Sequence, residues 1–82
     1  MTIVVRVRDL DTKGFLYTHE TEDHKLGYND VHTIYSNPMT ARFIITLAAL
    51  HNNKLYTLVH PFAIHVDKEC DYATVTYYVK ES

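Results

Sequence analysis

Residues 2 to 8 alternate, with Ile3, Val5 and Val7 on one side and Thr2, Val4, Arg6 and Arg8 on the other, the period-two pattern of a half-buried strand. The run Asp9-Leu10-Asp11-Thr12-Lys13-Gly14 follows. Its aspartates can bond nearby backbone and Gly14 can supply a positive φ, so a hairpin into residues 15 to 20 is predicted. In that second strand Phe15, Tyr17 and His19 share one face, and Leu16, Thr18 and Glu20 the other. Both faces mix apolar and polar groups, so periodicity leaves the buried one open. From Thr21 to Tyr35 the pattern weakens. Glu22-Asp23-His24 and Gly27-Tyr28-Asn29-Asp30 read as solvated loop, and residues 31 to 35 as a short strand or an approach to a helix.

The helix signal is clear from Ser36 onward. Asn37 is a favoured N-cap and Pro38 suits the first helical position. Met39, Phe43, Leu47 and Leu50 recur at i, i+4, i+8 and i+11, with Ile44, Ala48 and His51 beside them, so this stripe is expected to be covered. Asn52 or Asn53 can end the helix in the left-handed conformation. About 14 residues, roughly 21 Å of helix, are predicted. Strands then return at 55 to 59 and 62 to 66, with Pro61 between them forcing a break or an edge position. After a loop at 67 to 71, the last strand places Ala73, Val75, Tyr77 and Val79 opposite Tyr72, Thr74, Thr76 and Tyr78. The expected fold class is α+β: one domain over residues 1–82, with a single central helix packed on an antiparallel sheet of four or five strands in approximate ββαββ order.

Composition narrows the function classes. At 82 residues, folding buries only about 60 to 65% of the surface of the unfolded chain, so the core is small. A net charge of -2 with a pI near 6.3 gives no overall positive field for nucleic acid. The ten acidic residues are interspersed with eight basic ones, which argues against imitation of the DNA charge lattice. Cys70 is the only cysteine, which rules out an intramolecular disulfide. Arg6 and Arg8 interrupt the first apolar run, and the stretch from Phe43 to Leu50 is too short to span a bilayer. A soluble, cytoplasmic protein is expected.

Candidate chemistry is sparse. His19-Glu20-Thr21-Glu22-Asp23-His24 brings together imidazoles and carboxylates that can bind a divalent ion, but lacks established ligand spacing. His60 and His65 are five apart, so on a continuous strand they point to opposite faces. Cys70 sits among Asp67, Glu69 and Asp71, whose negative field suppresses the thiolate. Neither Ser36 nor Ser82 sits at a glycine-rich elbow, and Gly14 and Gly27 are isolated. No catalytic residue, cofactor or metal ligand is assigned.

Seven tyrosines and no tryptophan remain to be explained. If the helix covers Ala73, Val75, Tyr77 and Val79, the open face carries Tyr72, Thr74, Thr76 and Tyr78, joined by His65, Arg6 and Arg8. Tyrosine and arginine are enriched at protein interfaces. The expected function is a non-catalytic protein-binding module, a compact phage or mobile-element inhibitor that blocks a larger host protein. Homodimerisation is expected as well, through the open face, the helix or an exposed sheet edge. The alternatives are a single-stranded nucleic-acid-binding sheet, with bases stacked on Tyr72 and Tyr78, and a histidine-rich metal-binding protein.

Overall fold

A computed structural model describes residues 1–59 and 62–82 in full. The facing of the His60 side chain lies outside the described residues, but the strands expected at 55 to 59 and 62 to 66 form one strand, Tyr56–Asp67, at the edge of the sheet, with a register shift between Val59 and Ala63 in place of a break. The elements run β1 (Thr2–Asp9), β2 (Phe15–Glu22), α1 (Tyr28–Tyr35), α2 (Pro38–Asn52), β3 (Tyr56–Asp67) and β4 (Tyr72–Glu81). The four strands form one sheet in the order β2-β1-β4-β3. Each hairpin is antiparallel, as its short turn requires, but β1 and β4 pair in parallel at the centre. The sheet is therefore mixed rather than antiparallel, and the order is ββααββ rather than ββαββ. Parallel neighbours need a crossover of about a dozen residues or more, and the two helices provide it.

The additional helix, α1, occupies a segment that reads from sequence as loop or short strand. Val31, Thr33 and Ile34 are β-branched and mimic a strand. Two local features favour the helix. The Asp30 carboxylate accepts the Gly27 backbone N–H at 3.0 Å, and Val31 and Tyr35, one turn apart, are both buried in the core. In α2 the Asn37 side chain accepts the Met39 N–H at 2.9 Å, Pro38 holds the first position, and Asn53 closes the helix at φ 54°. Both ends match the sequence reading.

The buried face of α2 matches the expected stripe at Ile44, Ala48 and, in part, Leu47, and departs from it elsewhere. Ala41, Ile44, Ile45 and Ala48 face the sheet, whereas Met39, Phe43 and Leu50 are exposed. The alanines let the helix approach the strands closely, and that outweighs the larger side chains on its other side. Beneath the two helices, Ile3, Val5 and Val7 of β1 and Ala73, Val75, Tyr77 and Val79 of β4 are fully buried, as their alternation predicts. Tyr77 packs its ring 5.5 Å from that of Phe62, and its hydroxyl donates to the Tyr35 carbonyl at 2.7 Å.

The β1–β2 turn departs from expectation in one respect. Lys13, rather than Gly14, takes the positive φ, at 62°. The Asp9 carboxylate accepts the N–H groups of Asp11 and Thr12 at 2.8 and 2.9 Å. A register shift follows between Val7 and Arg8, so Tyr17 lies opposite Val7 while Phe15 lies opposite Arg8. Phe15 is thus separated from Tyr17 and His19, with which simple alternation grouped it. No helix among the described residues is long and apolar enough to cross a membrane.

Candidate protein-binding face

Both helices pack on one side of the sheet, so the other side is built from the alternate residues of all four strands. Register gives its rows. Glu22, Thr2, Tyr72 and Asp67 form the first, and Glu20, Val4, Thr74 and His65 the second. Thr18, Arg6, Thr76 and Ala63 form the third, and Phe15, Arg8, Tyr78 and Val59 the fourth. The seven residues selected from sequence, Arg6, Arg8, His65, Tyr72, Thr74, Thr76 and Tyr78, therefore lie on one surface in adjacent registers. Tyr72 and Tyr78 are half-buried rather than sealed inside. Val4, near the centre of this face, is only 5% exposed, so neighbouring side chains close over the backbone there.

Charge on this face is segregated along the strands. Arg6, Arg8, Lys13 and Lys80 lie toward the β1–β2 turn, and Glu20, Glu22, Asp67 and Asp71 toward the opposite end, whereas Glu81 and Lys68, at the same two ends, engage Lys54 and Tyr28 on the helix side. At the basic end, the Arg8 guanidinium donates twice to the Lys13 carbonyl, at 2.9 and 2.6 Å, and lies 4.5 Å from the Phe15 ring centre. Arg6 sits 5.6 Å from the same ring, and the Lys13 ammonium 5.0 Å from that of Tyr78. These cation–π contacts hold the aromatic rings in place. The Lys13 ammonium also covers one face of Tyr78, one of the two rings a stacked base would use.

At the acidic end, the Thr2 hydroxyl hydrogen-bonds Glu22, and the terminal ammonium lies 3.3 Å from both Glu22 and Asp71. The Thr2 hydroxyl, followed by the ammonium, holds the Glu22 carboxyl below its ordinary range. The ammonium is partly desolvated, which opposes its charge, but the two carboxylates outweigh this and raise its pKa.

Sequence reasoning missed Phe15 and Lys13, because the register shift that brings Phe15 to this face is invisible to period two. The basic and acidic ends emerge only once the strands are aligned.

The histidine segment does not converge. His19 pairs with Val5 on the helix side, whereas Glu20 and Glu22 point to the open side, and His24 lies 3.7 Å from Glu22 at the surface. Among the described residues, no group of three or more histidine, cysteine or acidic side chains is placed to hold a metal ion.

Cys70 is exposed. Its thiol donates to Asp67, whose negative charge pushes the thiol pKa up. Iodoacetamide at neutral pH should therefore modify Cys70 slowly. In Asp67→Asn the thiolate fraction rises and alkylation should be several-fold faster by mass spectrometry. Equal rates would discount the Asp67 contact.

No protein-family model matches this chain, and no curated protein or solved structure matches it either.

Proposed function

We propose that this chain is a small, non-catalytic protein-binding module. It acts in the cytoplasm by covering a surface of a larger host protein, as compact inhibitors carried by phages and mobile elements do. The supporting observation is the open sheet face, on which Arg6, Arg8, His65, Tyr72, Thr74, Thr76 and Tyr78 form one lattice on neighbouring strands. Side chains mounted on a rigid sheet lose little freedom on binding, and arginine and tyrosine supply the anchors that dominate interface energetics. The segregated charge adds orientation. A partner surface with the reverse polarity docks one way round, and like charges disfavour the other.

Replacing Arg6 and Tyr78 together by alanine should reduce capture of the partner from host lysate about tenfold or more, with the melting temperature nearly unchanged. Undiminished capture by a folded variant would exclude this face.

The same polarity is self-complementary when a second copy is turned end for end about an axis across the strands. We infer that the free protein dimerises through this face and that partner and second copy compete for it. Sedimentation should show a dimer that weakens from low to high salt. A monomer at every concentration would end the homodimer reading while leaving the heterologous one intact.

A further inference from the structure

The helix side of the molecule holds a second surface that the open sheet face does not use. Met39, Phe43 and Leu50 on α2 are 69%, 61% and 75% exposed, and Leu55, just before β3, is 72% exposed. At about 100° per residue, the three α2 side chains fall within about 40° of one another, opposite the buried Ala41, Ile44, Ile45 and Ala48. The helix thus has two apolar sides, and the sheet covers only one. With Thr46, the outer residues stand at positions 39, 43, 46 and 50. This four-three-four spacing is that of a seam which receives the knobs of a facing helix. A groove of about 670 Å³ continues from it, between α2 and the start of β3. Pro38, Ile45, Ala49, Leu50, Leu55 and Leu58 supply its apolar walls, and Arg42 and Lys54 its charges.

The charge pattern identifies the occupant. All ten acidic residues fall at positions 9 to 30 or 67 to 81, and none lies between Val31 and Val66. An acidic protein therefore presents, around its most apolar exposed surface, two cations and no carboxylate from the same stretch of chain. Glu81 approaches Lys54 at 3.6 Å, but both are well exposed, and such a pair exchanges partners at little cost. Among the described residues, no carboxylate lies within ion-pair distance of Arg42. A second copy on this seam would set cations against a helix that carries no acid. A bilayer, being flat, would leave the groove unfilled.

We propose that the outer side of α2 and the adjoining groove form a second docking site, and that its occupant is an amphipathic helix of another protein carrying carboxylates beside its apolar stripe. Apolar side chains at i, i+4, i+7 and i+11 of that helix pack between Met39, Phe43, Leu50 and Leu55, and its acids meet Arg42 and Lys54. The site lies on the opposite side of the sheet from the proposed partner face and does not depend on it.

The test uses a labelled, helix-stapled peptide of about 20 residues, with leucines at those spacings and glutamates elsewhere, titrated against the full chain. Saturable binding in the micromolar range is expected, weakened about tenfold or more by Phe43→Ser with Leu50→Ser. Arg42→Glu should weaken it about threefold to tenfold, and a peptide with lysine in place of glutamate should bind at least about tenfold less tightly. The substituted positions are exposed, so unchanged melting temperatures separate lost binding from lost fold. Absence of saturation up to about 0.5 mM, or equal binding of the lysine peptide, overturns the proposal. So does self-association, or binding to phosphatidylglycerol vesicles, that the same double substitution abolishes while the peptide leaves the protein unbound.

Discussion

Tyr77→Ala should leave much of the protein unfolded near physiological temperature. Tyr77 lies on a central strand, opposite Val7, with no exposure to solvent. Its ring packs on Phe62 and its hydroxyl satisfies the Tyr35 carbonyl, so truncation opens a cavity and orphans an acceptor at once. Removing a buried aromatic side chain costs about 3 to 5 kcal/mol. A domain of this size has about 4 to 12 kcal/mol in total. Tyr77→Phe keeps the ring and gives up only the hydrogen bond, at about 1 to 2 kcal/mol. Urea denaturation followed by circular dichroism orders the three proteins, and an alanine variant within about 1 kcal/mol of the parent would contradict the packing described.

The same residue carries an alkaline signature. Burial holds the Tyr77 phenol far above its ordinary pKa, so the folded chain keeps a proton that the unfolded chain releases near pH 10. The stabilisation is complete below that value and declines as pH rises beyond it. Tyr77→Phe should flatten that decline.

Ala48→Leu should destabilise the protein by about 1 to 3 kcal/mol, whereas Phe43→Ser and Leu50→Ser should each change stability by about 0.5 kcal/mol or less. Hydrophobicity alone ranks these positions the other way. Ala48 is fully buried and Ala41 nearly so. Spaced seven residues apart, they sit on one line of α2 and set its distance from the sheet. A leucine there must displace either the helix or the strands beneath it. Thermal melting of the three variants checks the order, and a larger loss at Phe43 or Leu50 than at Ala48 would mean that α2 faces the sheet with its other side.

That contrast shows where sequence reading succeeds. The caps of α2 are local, so Asn37, Pro38 and Asn53 mark its ends directly. The alternation in β1 and β4 is also local, and with it came the seven residues of the open face. The inward side of α2 is legible only in part: Ile44, Leu47 and Ala48 belong to the expected stripe and face the core, but Ala41 and Ile45 face it from outside that stripe, and the conspicuous Met39, Phe43 and Leu50 point outward. Residues 31 to 35 were ambiguous because a helical turn held by Asp30 and a β-branched strand look alike over five positions. The parallel β1–β4 pair has no local signature, since each strand alternates identically whichever neighbour it takes. Phe15 required knowledge of the register shift at Val7 and Arg8.

The parallel pair also shapes how the chain finds its fold. Each hairpin joins strands a few residues apart and can form within microseconds, yet Thr2 must meet Tyr72 and Arg8 must meet Tyr78 across nearly the whole length of the chain. That closure comes late and governs the rate, placing this protein among slower folders than a helical bundle of equal size. Until it occurs, each hairpin exposes an unpaired inner edge rich in valine, so partly folded molecules are most vulnerable to sticking to one another along the two strands that end at the centre.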